Sequence, residues 1–396
     1  MRRPLRGIAV LAAVALLPCL TGCGAQPSPA STERYTGVRP GSAWNAPLPP
    51  FGGSVPCRTR RPAGASGAAR PAAGLAVSLN FSSGKALCRQ LARARSSGAR
   101  LIRDDLVWAD VEPSAGEDRW ARYDAIVANA ARYGLTLLPI IDRSPPWAAE
   151  APSALPRDPA TYGDFLAKVV ARYGPDGSFW RRRRSLARFA PRWFEIWNEP
   201  YFGPFANLRP DPGEYARLVK TAVAAARKAN PRARFAIEAE TTFWDPEHRR
   251  DVDWVGDMYR AVPDLGDYAD AVAVHPYSRL PPGYTGNELP VRLQTRRLEQ
   301  VHASFAAHGD DVPLWVTEIG WPTCAKGPGC VSEAVQAQDL RSMFDLARRR
   351  WPYVHAIFVY RLDDLRGKGA ESSFGLLRAD GSPKPGWEAF RREARR

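Results

Sequence analysis

Two glutamates stand where an acidic side chain could do chemistry. Glu199 lies in the motif Trp-Asn-Glu-Pro (197–200), and Glu318 lies in Thr-Glu-Ile-Gly-Trp (317–321). Each follows a short apolar run typical of a β-strand, at 193–197 and 312–316. A carboxylate at the C-terminal end of a barrel strand lies on the face where barrel enzymes hold their catalytic groups. Two such carboxylates across one cleft could cleave a glycosidic bond, one protonating the leaving oxygen and the other acting at the anomeric carbon.

The elements that must position these glutamates repeat along the chain. From residue 74 onward, strand-like apolar runs alternate with amphipathic helical patterns, which predicts parallel βα units. The expected strands are 75–81, 100–107, 135–141, 192–197, 234–238, 271–275, 314–318 and 356–360. The expected helices are 85–97, 123–133, 161–173, 214–229, 250–262, 293–308, 333–350 and 387–396. The pattern predicts an α/β fold, a single (β/α)8 TIM barrel over 74–396. An open doubly wound sheet usually carries a Gly-rich phosphate turn, and the sequence contains no such turn.

The N-terminus has the pattern of an export signal. Three arginines precede an apolar run, 7–20, which is too short to span a bilayer as a mature helix. The run ends in Leu-Thr-Gly-Cys, which resembles the bacterial lipobox, so we expect a lipoprotein signal peptide at 1–22 and a lipid on Cys23. An ordinary secretory signal is the alternative. Residues 23–73, rich in Pro, Gly, Ala and Ser, are expected to form a tether. The protein is then exported, and either lipid-anchored at the extracellular face of the cell membrane or secreted.

Cysteine use agrees with export. Outside the expected signal and its lipobox, four cysteines remain, and an even number in an oxidising compartment predicts two disulfides. Cys324 and Cys330 enclose a short loop just after Glu318 and are expected to pair, which leaves Cys57 with Cys88 by elimination. Zinc binding is the alternative, although no histidine lies close to either pair in sequence.

The charge of the chain is strongly positive. The net charge of +15 becomes +12 when residues 1–22, with three Arg and no acid, are removed. The arginines are spread along predicted helices without a nucleic-acid motif, so nucleic acid is not an expected partner. The run of four Arg at 181–184 is interpreted as a solvated face, with a polyanion site as the alternative. The five histidines show no pair at metal-ligand spacing, so neither a metal nor a cofactor is expected.

The two glutamate motifs, in this strand order, resemble the acid/base and nucleophile motifs of clan A glycoside hydrolases, a group of retaining (β/α)8 enzymes. The resemblance covers the chain from about residue 74 to its end. The segments 102–108, 111–113 and Trp120 look most like families 39 and 5, and 374–377 with 384–387 are similar to the end of the same barrels. The resemblance implies a double displacement, with Glu318 as nucleophile and Glu199 as general acid/base.

Further site residues follow from the same resemblance. Arg103 is expected to keep Glu318 ionised, and a structural ion pair with the aspartate at 104 or 105 is the alternative. Tyr277 is expected to donate a second hydrogen bond to Glu318. Asn198 is expected to bind the sugar 2-hydroxyl. His275 is expected to contact the sugar, with a buried structural histidine as the alternative.

Aromatic side chains at strand ends could stack on the apolar face of a sugar ring. Those expected to do so are Trp108, Trp147, Tyr201, Trp321 and Tyr360. Clan A enzymes often carry a Trp at the end of strand eight, whereas this chain reads Phe-Val-Tyr-Arg-Leu-Asp (358–363). Tyr360 is expected to substitute for that Trp. Arg361 or Asp363 adds charge to the cleft, which makes a charged polysaccharide a candidate substrate.

The sequence therefore predicts a monomeric retaining glycosidase that acts on an oligosaccharide or polysaccharide outside the cell. One alternative is a non-catalytic carbohydrate-binding lipoprotein. Another is a transglycosylase, which would use the same residues. Glu238 and Glu240 end strand five and compete as catalytic acids, but they lack the Asn before and the Gly-Trp after. The insertion 176–190 is a segment that could close over the cleft.

Overall fold

The computed structural model describes residues 48–58, 71–206, 209–245, 250–277, 289–325, 329–367 and 369–396. The expected signal peptide, the lipid on Cys23 and most of the expected tether lie outside the described residues. Within the described ranges, no helix combines the length and the apolar character that a membrane crossing requires.

Eight parallel strands close into one barrel, as the alternating pattern predicts. Each strand pairs with its neighbours in chain order, and the first pairs with the last. The barrel strands are β1 (Ala72–Ala76), β2 (Leu101–Val107), β3 (Thr136–Asp142), β4 (Trp193–Ile196), β5 (Arg234–Glu238), β6 (Ala271–Val274), β7 (Leu314–Ile319) and β8 (Val354–Val359). The α-helices are α1 (Gly84–Ser96), α2 (Trp108–Val111), α3 (Ala121–Arg132), α4 (Pro159–Tyr173), α5 (Pro212–Ala229), α6 (Trp254–Ala261), α7 (Leu289–Ala307), α8 (Glu333–Arg350) and α9 (Pro385–Ala394).

The connections contain short elements. The 3-10 turns are Leu79–Phe81, Ser178–Trp180, Arg184–Phe189, Gly203–Phe205, Leu265–Tyr268 and Ala370–Ser372. An antiparallel hairpin, Thr242–Asp245 with Arg250–Asp253, lies between β5 and α6. The expectation of a helix from residue 250 is therefore wrong at its start. The helix begins only at Trp254, because the carboxylate of Asp253 accepts a hydrogen bond from the Gly256 N–H at 3.0 Å and caps it.

The first strand begins and ends earlier than its apolar pattern indicates. It ends at Ala76, and the expected last strand residues, Leu79–Phe81, form a 3-10 turn instead. The buried carboxylate of Asp104 accepts the backbone N–H groups of Leu79 and Asn80, each at 3.1 Å. These two hydrogen bonds replace the sheet pairing that a longer strand would make.

The barrel interior has an apolar floor. Successive side chains of a strand point to opposite faces, so one residue in two faces inward. Inward side chains at the floor are all apolar, and they form a cluster of Leu138, Ala236, Ala271, Ala273, Trp315, Ala356 and Phe358. Gly74 of β1 allows this packing, since a Cβ there would lie 2.4 Å from the ring of Phe358. This apolar cluster supports the next layer of inward side chains along the barrel axis.

A polar layer lies one step above the floor, towards the C-terminal ends of the strands. Each of its members stands two residues after a floor or floor-contacting residue and so shares its face. The layer contains Arg103, Glu195, Glu238, His275 and Thr317, all nearly or fully buried. Charged groups at inward barrel positions place the candidate chemistry at this end of the molecule.

The described N-terminal segment, 48–58, packs on the outside of the barrel. Its Cys57 is bonded to Cys88 of α1, and the Cys57 N–H donates to Asn129 of α3 at 3.0 Å. Phe51 of the same segment packs against the buried core. Cys324 and Cys330 form the second disulfide, so both expected pairings are present. Two disulfides are typical of an exported protein.

The insertion 176–190 does not lie over the predicted site. It leads from α4 into the start of β4, so it lies at the opposite end of the barrel from Glu199. Its Trp180 is buried and donates from Nε1 to the Tyr173 carbonyl at 2.7 Å. Of the four-Arg run, Arg183 lies over the ring of Phe179 at 4.0 Å. The expectation that this segment closes the cleft is wrong.

Candidate active site

The end of β4 presents Glu199 by an unusual backbone path. Trp197 and Glu199 have positive φ angles of 66° and 44°, a left-handed region that non-glycine residues seldom adopt. The turn buries the Trp197 ring on the outside of the barrel, where its Nε1 donates to the Phe205 carbonyl at 2.9 Å. Asn198 and Glu199 are left at the C-terminal opening. Such backbone strain, about 1–3 kcal/mol per residue, is typical of functional sites.

The end of β7 presents Glu318 through a β-bulge. Val316 is paired with Ile357 of β8, but Ile319 is paired with Val359, so two residues of β7 oppose one of β8. The bulge breaks the strict alternation of side chains, and both Thr317 and Glu318 reach the polar layer. Thr317 Oγ1 lies 3.0 Å from the Nε2 of His275, and Glu318 contacts Arg103.

Arg103 connects the two strand ends. Its guanidinium donates to both carboxylate oxygens of Glu195, from Nε at 2.7 Å and from Nη2 at 3.0 Å. It also donates from Nη2 to the Asn198 Oδ1 at 2.9 Å and from Nη1 to the Glu318 Oε1. The side chain is 2% exposed. A buried guanidinium with this many donors can hold the positions of several acceptors at once.

The neighbouring aspartates do not pair with Arg103. Asp104 accepts backbone N–H groups of the β1 loop, and Asp105 is ion-paired with Arg143 at 3.4 Å. The alternative of a local structural ion pair for Arg103 is therefore not what the fold contains. Its partners lie 92 and more residues away in sequence.

Charge compensation sets the protonation of this layer. Burial alone would raise the pKa of Glu195, but the Arg103 charge and hydrogen bonds from His275 and Arg103 lower it to about 2. Burial alone would lower the pKa of Arg103, but the Glu195 and Glu318 carboxylates raise it well above its usual value. The layer therefore holds a fixed ion pair beneath the strand ends.

His275 lies between the layer and Glu199. Its Nδ1 is 2.8 Å from the Glu199 Oε1, and its Nε2 is 3.3 Å from the Glu238 Oε1. Burial lowers the pKa of this imidazole, but the carboxylates of Glu238 and Glu318 and hydrogen bonds to Glu195 and Glu199 raise it well above its usual value. The histidine is thus in direct contact with one of the two predicted carboxylates, and its ring is almost completely buried, as in the alternative of a buried histidine.

Glu199 and Glu318 face each other across the opening. One carboxylate oxygen of each and a ring nitrogen of His275 all lie within 4.8 Å of one another. The two side chains are 16% and 15% exposed, so a ligand can reach both. Tyr277, after β6, donates from its hydroxyl to the Glu318 Oε2 at 3.1 Å. The structure therefore assembles the predicted pair with the two predicted donors to Glu318.

An aromatic group lies beside Glu318. The rings of Tyr277, Tyr360 and Phe374 meet edge to face, with centroids 5.4–6.4 Å apart. Gly320 permits this arrangement, since a Cβ there would lie 2.1 Å from the Tyr360 carbonyl oxygen. Tyr360 thus lies at the end of β8 against Tyr277, and Phe374 is a neighbouring ring that is not among the predicted site residues.

The predicted tryptophans lie farther from the opening. Trp108 has no exposed surface, and its Nε1 donates to Glu112 at 3.0 Å. Trp321 is 3% exposed and packs in the core outside the barrel. Trp147 is partly buried. Its ring meets that of Trp108 edge to face, with centroids 5.4 Å apart, and its Nε1 donates to the Glu112 carbonyl. A direct sugar contact for Trp108 or Trp321 is not supported, because neither ring presents a face to solvent.

Tyr201 lies closer to the carboxylates. Its hydroxyl is buried and has no hydrogen-bond partner among the described residues. Burial, and then the charges of Glu238, Glu199 and Glu240, raise the pKa of this phenol well above its usual value. Tyr201 thus lies within reach of the charges of Glu199, Glu238 and Glu240.

The loop after β8 brings further charges. Burial, and then the carboxylates of Glu318 and Glu199, raise the pKa of Glu371 to about 8, while Arg361 opposes this shift. Arg361 donates to Ser78 Oγ at 3.1 Å, and Asp363 is ion-paired with Arg93 at 2.9 Å. Glu371 is not among the site residues predicted from the sequence, because no local pattern indicates that a loop residue turns back towards the site.

Two further buried glutamates differ from the sequence predictions. Glu195 was not singled out, although a charged residue between the apolar Phe194 and Ile196 of a strand is a usable signal. Glu238 competed as a catalytic acid, but it is completely buried below the opening. One carboxylate oxygen each of Glu195 and Glu238 and a ring nitrogen of His275 come close enough for a metal ion, yet the guanidinium of Arg103 already supplies positive charge to both carboxylates.

Comparisons with known proteins agree on the fold. No protein-family model and no curated protein sequence matches the chain. Among solved structures, it is similar to a family 39 glycoside hydrolase from Bacteroides cellulosilyticus WH2 (TM-score 0.56, 21% identity, 82% of this chain and 63% of that one). It is also similar to a monomeric β-xylosidase from Caulobacter crescentus CB15 (0.59, 16%, 86% and 69%) and to a GH5_18 protein from Streptomyces cattleya in complex with GlcNAc (0.56, 18%, 83% and 81%). The chain thus spans less than two thirds of the first of these, and the likeness establishes a shared barrel fold.

Proposed function

We propose that the protein is a retaining glycoside hydrolase that acts on an extracellular or cell-envelope polysaccharide. The observation that carries this proposal is the pair Glu199 and Glu318, at the ends of β4 and β7, with carboxylate oxygens within 4.8 Å. Structural likeness to family 39 and family 5 glycoside hydrolases supports the same class of reaction.

The spacing of the carboxylates favours retention of configuration. Retaining enzymes hold the two groups about 5–5.5 Å apart, whereas inverting enzymes need about 6.5–9.5 Å to admit a water molecule. One oxygen of Glu199 and one of Glu318 lie within 4.8 Å here, which is nearer the retaining spacing than the inverting one. Glu318 would therefore attack the sugar itself.

The first step joins the sugar to the protein. A Glu318 oxygen forms a bond to the anomeric carbon while the bond from that carbon to the leaving oxygen breaks. Glu199 gives its proton to the leaving oxygen. Arg103 and Tyr277 hold Glu318 through one oxygen each, which fixes the position of the attacking group.

The second step releases the sugar. Glu199, now a carboxylate, takes a proton from water, and the resulting hydroxide oxygen bonds to the anomeric carbon as the Glu318 ester bond breaks. The Asn198 Oδ1 accepts from Arg103, which leaves the amide nitrogen to bind a sugar hydroxyl. A transglycosylase would replace the water by a sugar hydroxyl on the same residues.

The substrate contacts are proposed from the aromatic group and its surroundings. The rings of Tyr277 and Tyr360 lie beside Glu318 and would contact the sugar that becomes bound, with Trp147 and Tyr201 proposed as further sugar contacts. Arg361 and Glu371 add charge at the same end. Export, a lipid on Cys23, a tether from the membrane and a monomeric state complete the proposal.

A non-catalytic carbohydrate-binding lipoprotein is the competing proposal. Such a protein has no need of two opposed carboxylates, nor of the strained backbone and the bulge that bring them together. A buried arginine directed at Glu318 is also a costly feature for a surface that only binds.

The test uses the chain from residue 24 onward on a panel of aryl glycosides and polysaccharides. The panel includes xylosides, mannosides and N-acetylglucosaminides, the sugars named for the similar structures. We expect Glu318→Gln and Glu199→Gln each to lose at least about 10²-fold in kcat. Glu388→Gln, an exposed glutamate of α9, is the matched control and keeps full activity.

The stereochemistry of the first product is the second readout. NMR of the freshly released sugar should show the anomer of the substrate. Full activity in both glutamine variants, or an inverted product, would contradict the proposed mechanism. Binding of a polysaccharide without cleavage by the wild type would favour the lipoprotein alternative.

A further inference from the structure

Glu238 is a buried carboxyl that the proposed reaction does not use directly. It ends β5, is completely buried, and neither of its oxygens has a hydrogen-bond partner among the described residues. The nearest cationic groups are the His275 Nε2 at 3.3 Å and the Arg103 Nη2 at 3.7 Å. A buried carboxylate is strongly unfavourable without a cationic partner, and these two groups are the ones close enough to compensate it.

Arg103 is already engaged elsewhere. Its donors bond to Glu195, Asn198 and Glu318 at normal or short distances, and the contact with Glu238 is the longest of the set. The imidazole of His275 is therefore the partner that remains for Glu238.

The two ring nitrogens of His275 face different groups. On one side, Nδ1 is 2.8 Å from the Glu199 Oε1. On the other side, Nε2 faces Glu238 at 3.3 Å and Glu195 at 3.8 Å, with the Thr317 hydroxyl at 3.0 Å and Arg103 at 3.2 Å. The Glu318 carboxylate also acts on the ring through its charge. Carboxylates from three strands thus outnumber the single guanidinium around this ring.

We propose that Glu238 is a positioning residue for Glu199: its carboxylate holds a proton on Nε2 of His275, so that Nδ1–H stays directed at the Glu199 carboxylate. This inference rests on the proposed function, in which Glu199 is the acid/base. The chain Glu238–His275–Glu199 then joins the buried layer to the opening through one imidazole.

The charges around the ring support a shared proton. Burial raises the pKa of Glu238, and the Glu195 charge raises it further, while His275 opposes the shift. The pKa of His275 is also raised, by Glu238 first among the carboxylates. Both groups attract the same proton, and a cationic imidazole beside Glu199 stabilises the carboxylate that must act as base in the second step.

The first experiment measures the imidazole itself and needs no substrate. The ¹⁵N chemical shifts of the five histidines are recorded at neutral pH in the chain from residue 24 onward, with His275→Gln for assignment. We expect a doubly protonated His275 in the wild type and a singly protonated one in Glu238→Gln. A doubly protonated ring in Glu238→Gln would overturn the inference.

The second experiment measures the pH profile of kcat/KM. Glu238→Gln removes the cation next to Glu199, so the basic limb should move up by about one pH unit, the lower end of the effect of a close charge. When Glu238→Gln is added to His275→Gln, the basic limb of the profile should not move further. Asp339→Asn, which removes another buried carboxyl on α8, is the matched control and leaves the limb in place.

The outcomes separate the two proposals. An unmoved basic limb in Glu238→Gln, or an equal movement in the His275→Gln background, would show that Glu238 does not act through the imidazole. If Glu238→Gln does not fold, Glu238→Asp, which keeps the charge on a shorter side chain, should give a smaller movement in the same direction. If the wild type cleaves no glycoside, the proposed function fails, and the ¹⁵N result alone decides the role of Glu238.

Discussion

Arg103→Met should lower the free energy of unfolding by about 3–4 kcal/mol at pH 7. The substitution keeps the bulk of the side chain and removes the guanidinium, whose charge and hydrogen bonds act together with His275 to lower the pKa of Glu195 from 4.5 to about 2. At roughly 1.4 kcal/mol per pKa unit, this shift corresponds to about 3 kcal/mol of stability in a fully buried pair. Loss of one partner of a buried ion pair costs roughly 3–5 kcal/mol by a separate argument, and the two magnitudes agree.

The same loss should depend on pH in one direction only. The folded-state pKa of Glu195 lies below its unfolded value, so the Arg103 contact stabilises the fold fully above about pH 4.5 and loses effect as the pH falls towards 2. At pH 3.5, the difference between wild type and variant should therefore shrink to roughly 2 kcal/mol or less. Raising the pH above 7 should not change it.

Urea unfolding followed by tryptophan fluorescence at pH 7 and pH 3.5 measures both effects, with the slope of the transition as the check on two-state behaviour. Arg182→Met, at an exposed site in the four-Arg run, is the matched control and should stay within about 0.5 kcal/mol of the wild type. If Arg103→Met does not fold, Arg103→Lys takes its place, with a smaller loss because the charge remains without the two-nitrogen contact. A difference below about 1 kcal/mol at pH 7, or one that is equal at both pH values, would refute the reasoning.

Three further perturbations test other parts of the site and fold. Tyr277→Phe removes the hydroxyl that donates to Glu318, and kcat/KM on any cleaved glycoside should fall roughly 10–100-fold, the value of a hydrogen bond to a charged group. Gly320→Ala brings a Cβ against the Tyr360 carbonyl, and thermal unfolding should show a loss of about 1–3 kcal/mol. Cys57→Ser opens the disulfide that closes a separation of 31 residues, and unfolding by urea should show a loss of about 3–4 kcal/mol.

Each of these has an outcome that would count against it. Unchanged kcat/KM in Tyr277→Phe would mean that Glu318 is held without this donor. A Gly320→Ala variant as stable as the wild type would show that the end of β8 moves easily. Equal stability with and without the first disulfide would mean that the N-terminal segment contributes little to the folded domain.

The barrel architecture and the two carboxylates at the ends of β4 and β7 can be predicted from the sequence. The alternation of strand and helix patterns predicts eight βα units, and the observed barrel has them with shifts of a few residues at the ends. Because all eight strands are parallel, their C-terminal ends must meet on one face, so Glu199, Glu318 and Arg103 are predicted to lie at the same end of the barrel.

How deeply the other site residues are buried, and in which direction their side chains point, can be seen only in the folded protein. The burial of Trp108, the inward direction of Glu195 and Glu238, and the approach of Glu371 depend on strand register and on loop paths that join residues far apart in sequence. The bulge that turns both Thr317 and Glu318 inward is a mismatch between two strands and has no signal in either one. Local patterns determine which elements form, because they reflect contacts along one strand or helix. The closed barrel determines which side chains are desolvated together, and with that the protonation of the site.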